Sequence, residues 1–101
     1  MKGVYPCILV PEELGGFSVL FPDFGGATQG ETLYEALEMA EDFLGFAVTS
    51  AVDNGEKIPT PTNLKDIVIE DDGAFVSWIK FDTDAYRKIL SKSNRKMENK
   101  M

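Results

Sequence analysis

Three features of the sequence predict an α+β domain of one small β-sheet and one main helix. Short β-branched and aromatic runs, bounded by Gly and Pro, fall before residue 30 and again after residue 74. A single stretch from Leu33 to Val52 repeats its apolar residues every three or four positions. At 101 residues the chain can bury one modest core, not two. The predicted order is β-β-β-α-β, closed by a weaker helix.

The first strand is Val4–Val10, apolar and β-branched, with Pro6 pointing to an edge position or a bulge because proline cannot donate to a ladder. Pro11–Gly16 ends in two glycines and reads as the loop of a hairpin, with Phe17–Phe21 returning as the second strand. Pro22–Gly26 breaks that strand, and Ala27–Gln29 is a candidate short third one. Thr32 and Glu35 have capping-box spacing, each side chain able to satisfy an orphan backbone N–H. Leu33, Ala36, Leu37, Ala40, Phe43, Leu44, Ala47, Val48, Ala51 and Val52 then mark an amphipathic helix of about five turns, stopped by Asn54-Gly55. Pro59 and Pro61 stiffen the connection, Ile67–Ile69 is a possible short strand, and Asp72-Gly73 a turn. Phe75–Phe81 is the last strand, and Asp82 or Thr83 can cap a final helix through Ala85, Tyr86, Ile89 and Leu90. Residues 1–90 are therefore expected to form the domain and residues 91–101 a basic, flexible tail.

Composition excludes much. There is no histidine, which removes Ser-His and Cys-His catalysis, His-ligated zinc and the commonest general base. One cysteine, Cys7, allows no intrachain disulfide and fits a reducing cytoplasm; in an apolar strand it reads as an inert core thiol. No apolar run approaches the ~20 residues that span a bilayer, so no membrane partner is expected, and no cofactor motif appears. Residues 1–82 hold fifteen Asp/Glu against four Lys, whereas residues 83–101 hold six Lys/Arg against two acids. Such an acidic body repels nucleic acid and attracts basic proteins, or it simply keeps the chain in solution.

Several clusters have both a chemical and a structural reading. Glu31, Glu35, Glu38 and Asp42, with Glu41 beside them, share the polar side of the main helix: a docking stripe for a basic partner, or acids that favour the helix N-terminus. Asp23 and Asp82 each follow a strand, as metal-binding carboxylates of a nuclease would, yet neither has an acidic companion at metal-loop spacing. Gly25-Gly26 and Gly30 lack the Lys-Ser/Thr of a phosphate loop and read as turns. Arg87, Lys88, Lys92, Arg95, Lys96 and Lys100 have no interleaved aromatics and read as a solvated end rather than a nucleic-acid surface. On the strands, alternation assigns Val4, Ile8, Val10, Phe17, Val19 and Phe21 to one face, and Tyr5, Cys7, Leu9, Leu20, Val76 and Trp78 to the other. One helix covers one face, so Tyr5, Leu9, Leu20 and Trp78 are expected at an interface with a second copy or a partner.

Taken together, Tyr5-Pro6, Gly16-Phe17-Ser18-Val19, Phe21-Pro22-Asp23, Gly26, Thr28-Gln29-Gly30, Thr32-Leu33, Glu35-Ala36-Leu37 and Ala40 are similar in order and spacing to the HicB antitoxin family. Asn54-Gly55-Glu56, Ile58-Pro59, Pro61 and Phe81-Asp82 extend the resemblance across about residues 4–90. It implies an incomplete RNase H-like fold without nuclease activity, in a bacterial or prophage toxin–antitoxin system. It also implies a partner, the HicA toxin, a small basic mRNA-cleaving ribonuclease with a catalytic histidine. The antitoxin would cover the toxin's active site and assemble as a homodimer or higher oligomer. Family members commonly place a Cys-aromatic pair after the glycine, where this chain has Ala27. Tyr86-Arg87-Lys88 and Ser93-Asn94-Arg95-Lys96 resemble the linker into the family's C-terminal DNA-binding module, before which this sequence stops; direct DNA binding is not expected of these residues alone. A vestigial metal-dependent nuclease using Asp23 and Asp82, or an orphan scaffold without a toxin, are the alternatives.

Overall fold

The computed structural model describes residues 1–99, with side chains through residue 92. Strands β1 (Lys2–Pro11), β2 (Phe17–Phe21) and β3 (Gly26–Gly30) form an antiparallel meander. Helix α1 (Leu33–Asp53) crosses the sheet, a 3-10 turn occupies Leu64–Asp66, and β4 (Phe75–Asp82) runs directly into helix α2 (Thr83–Asn99). The sheet order is β3-β2-β1-β4, antiparallel throughout. This is the expected α+β class.

β1 is internal in that order, yet it pairs with β2 only over Ile8–Pro11 and with β4 over Lys2–Leu9. Pro6 therefore sits where one flank of β1 is locally free, and its missing N–H leaves no gap in a ladder. The hairpin turns on Gly15 and Gly16, both at positive φ. The last helix is longer than expected, continuing past Leu90 to Asn99, while Lys100 and Met101 of the expected tail lie outside the described residues. Ile67–Ile69 is not a strand: it pairs with no strand of the sheet, and Val68 is 72% exposed.

Alternation holds within each strand, but the two face assignments require correction. Leu9 stands opposite Val19, and Tyr5 opposite Ile79. Tyr5, Cys7, Leu9, Val19, Phe21, Ile79 and Phe81 consequently share one face and fill the core beneath Ala36, Ala40, Leu44 and Val48 of α1. Tyr5 and Leu9 are buried at 3% and 0% exposure, so they belong to the core and not to an outer interface. Leu20 and Trp78 lie on the opposite face with Val4 and Ile8, and both are more than one-third exposed. A one-residue difference in register exchanges every side chain of a strand between faces, and only pairing resolves it.

Close approaches fix the helices on this sheet. A Cβ at Gly30 would overlap the Ala36 backbone, so the missing side chain lets the first turn of α1 rest on the end of β3. A Cβ at Gly45 would lie 2.7 Å from Cδ1 of Tyr86, so α2 docks its tyrosine ring on α1. Arg87 secures this crossing with a 2.6 Å ion pair to Asp53, whose carboxyl is held below its ordinary range by that hydrogen bond.

Candidate interaction surface

The structure places Glu31, Glu35, Glu38 and Asp42 on the exposed outer side of α1 and its entry. Local chemistry explains the start: the Glu35 N–H donates to Thr32 Oγ1 at 3.0 Å, the N-cap bond expected from the sequence. The Glu35 carboxylate reaches back to the N–H of Glu31 at 3.3 Å, one residue earlier than in the usual capping box. Glu35 is thus partly occupied in holding the helix start, while α1 as a whole carries five acids and no basic residue.

The stripe divides between two grooves. Glu31 and Glu35 join Glu12 around a cavity of about 390 Å³ whose apolar wall includes Phe17 and Met39. Glu38 and Asp42 join Glu41 and Asp82 around a second groove of about 220 Å³ between the helices, walled by Tyr86 and Ile89. An acid rim over an apolar wall suits a long basic side chain, whose stem packs while its charge meets carboxylates. Glu12 and Asp82 were not legible as members, because chain folding brings them from a hairpin loop and a strand end. Tyr34, Met39 and Phe46 also stand exposed on α1, Phe46 at 58%. Their signal in the sequence was that they fall outside the buried apolar stripe.

The remaining candidates have structural employment. Asp23 accepts hydrogen bonds from the Thr62 N–H at 3.1 Å and the Thr62 hydroxyl at 2.7 Å, tying the connection after α1 to the end of β2. Tyr5 donates its hydroxyl to the Pro59 carbonyl at 2.6 Å and packs edge-on against Phe24, pinning the same connection. Asp82 accepts from the Ala85 N–H at 3.1 Å and caps α2; that bond, with Lys2 nearby, lowers its pKa. Asp23 and Asp82 each serve a separate backbone junction, and no cluster of three metal-ligating side chains occurs among the described residues. Cys7 is fully buried and its thiol is pushed up to about 12, chiefly by burial, so it is chemically quiet. Of the basic residues, Arg87 is committed to Asp53, Lys88 and Lys92 are exposed on α2, Arg95 and Lys96 have no described side chains, and Lys100 is outside the described residues. No described helix is long and apolar enough to cross a membrane.

Residues 5–99 match the family model of the HicB-like antitoxin of bacterial toxin–antitoxin systems. Over 58 residues the chain is 52% identical to Antitoxin HicB 1 of Photorhabdus laumondii subsp. laumondii, covering 56% of this chain and 37% of that protein. Over 61 residues it is 44% identical to Antitoxin HicB of Escherichia coli strain K12, covering 59% of this chain and 44% of that one. The matched stretch thus spans less than half of either relative. The fold is similar to a chain of a toxin–antitoxin complex from Streptococcus pneumoniae, with a TM-score of 0.74 and 24% identity over 96% of this chain and 89% of that chain. It is similar too to a chain of a HicA3 and HicB3 toxin–antitoxin complex, with a TM-score of 0.60 and 22% identity over 79% and 99%. With the matched region taking in nearly every described element, the chain belongs to the HicB-like antitoxin family of bacterial toxin–antitoxin systems.

Proposed function

We propose that this chain acts by binding: it neutralises a HicA-like toxin, a small basic mRNA-cleaving protein, by docking on it and covering its active site. The observation that carries the reading is the outer surface of α1, where every charge is negative and Met39 and Phe46 stand exposed beside Glu35, Glu38 and Asp42. Acids at a rim accelerate encounter with a basic partner, and exposed apolar side chains hold it once water is excluded. The two acid-rimmed grooves give lysine or arginine side chains defined places to enter. The reading assigns no catalysis and no cofactor, places the protein in the cytoplasm, and includes self-association as a homodimer or higher oligomer. It assigns no DNA binding to these residues.

The test is association with the cognate toxin, measured by stopped-flow or surface binding across a salt series. Reversing Glu35, Glu38 and Asp42 together to Lys is expected to slow association by about tenfold or more and to flatten its salt dependence. The helix loses only about a few tenths of a kcal/mol per acid in its first turn, so circular dichroism should report an intact fold. An unchanged association rate and salt slope would show the stripe to be a solvated helix face and defeat the reading.

A further inference from the structure

We infer that the free edge of β4 is a self-association surface, on which a second copy of this chain pairs its own β4 antiparallel, Trp78 of each copy facing Lys80 of the other. The inference rests on the self-association part of the reading above and names the surface responsible.

Backbone geometry comes first. β4 pairs with β1 on one side and is the last strand of the sheet. The N–H of Thr83 donates to the carbonyl of Met1 at 2.9 Å, continuing the register in which Lys2 faces Asp82. In an antiparallel ladder the residues that bond to one neighbour alternate with those that point away from it. The odd positions of β4 therefore bond to β1, and Val76, Trp78 and Lys80 direct their N–H and C=O groups outward. Pro6 agrees: it stands opposite Trp78, where no N–H is required of it.

The two edges of the sheet differ. β3 is five residues long, begins and ends with glycine, and has the start of α1 resting on its last residue. β4 is eight residues long and contains no Pro, and its outward charges, Lys80 and Asp82, both lie in its last three residues. An edge of this kind recruits a strand unless something blocks it.

Self-complementarity selects the occupant. A two-fold pairing that continues the sheet must place outward-bonding residues opposite one another. Centred on Lys80 it would oppose two lysines, and centred on Trp78 it would set each Lys80 opposite an apolar Val76, so neither gives the lysine a complementary neighbour. Centred on Ile79 it places Trp78 opposite the partner's Lys80 twice over, with Val76 opposite the partner's Asp82. Each ammonium then lies beside an indole face on the side of the sheet that carries the exposed Trp78. A basic toxin is better matched by α1, which carries five acids and no basic residue, than by this edge, where Lys80 stands two residues from Asp82.

The experiment is sedimentation equilibrium of the whole chain, together with the emission of its one tryptophan over a dilution series. The wild type is expected to be dimeric at about 100 µM, with emission shifting to the red on dilution. Lys80→Pro removes an outward N–H and a charge without taking a bond from the β1 ladder, and is expected to weaken the dimer by about a hundredfold. Trp78→Lys opposes like charges and should give a monomer; adding Lys80→Glu to it should restore the dimer through two new opposite-charge pairs, without requiring Lys80→Pro to fold. A monomeric wild type, or a Trp78→Lys variant as dimeric as the wild type, overturns the inference, as does failure of the folded double variant to dimerise. Toxin neutralisation is scored separately: a dimeric chain that cannot neutralise its toxin defeats the neutralisation reading and leaves this inference standing, whereas a monomeric one that can defeats this inference and the self-association part of that reading and leaves neutralisation standing.

Discussion

On β1, Tyr5, Cys7 and Leu9 are sealed beneath α1, whereas Val4, one residue away, stands almost half exposed on the face that no helix covers. Both sets are apolar and β-compatible, and composition alone would not separate them. The separation comes from what each face meets. On the covered side Phe21 stacks on Phe43 with ring centroids 4.2 Å apart, and Tyr5 packs against Phe24 and Phe81. On the other side the side chains meet their strand neighbours but no helix. The covered face carries the stability of the domain. The open face and the β4 edge beside it are where the inferred self-association would act.

Three substitutions, compared by chemical denaturation of the whole chain, would break or sharpen that contrast. Leu9→Ala removes a fully buried side chain from the centre of the covered face and should cost about 2–5 kcal/mol; a loss below about 1 kcal/mol would mean that α1 does not press on the sheet there. Tyr5→Phe keeps the ring but leaves the Pro59 carbonyl without its 2.6 Å donor, for an expected loss of about 1 kcal/mol and faster proteolysis between residues 55 and 65. Stability equal to the wild type would show that ring packing alone holds the connection. Val4→Thr retains shape and branching at a position 46% exposed and should change stability by no more than about 0.5 kcal/mol. A large loss at Val4 would reveal that the open face is covered in the folded molecule in solution.

Much of the fold was legible in the chain because it is written locally. The Thr32 cap, the apolar period through α1, the Gly15-Gly16 turn and the β-branched run of β1 each act over a few residues, and each appears where expected. The phase of one strand against another was not legible. Leu9 pairs with Val19 because a loop from Glu12 to Gly16 sets the hairpin register, and a loop one residue longer would reverse the faces. Ile67–Ile69 differs from the expectation for a related reason: strand propensity is realised only where the path of the chain lays a segment along a sheet edge, and this one pairs with none. The acids of α1 were identifiable from helical spacing, but Glu12 and Asp82 enter the same surface through tertiary contact alone.

The sequence by itself determined the class of this protein: its acidic body, its lack of histidine, its order of elements and the motif spacing that places it among HicB-like antitoxins. Those properties depend on residue identity and short-range order, which need no folded context. Only the tertiary structure decided which apolar residues are core and which are surface. It showed that Tyr5 and Asp23 tie down one connection, and that β4 ends the sheet with an edge that no strand among the described residues pairs. Burial and pairing are relations between segments distant in the chain, so no local pattern can carry them.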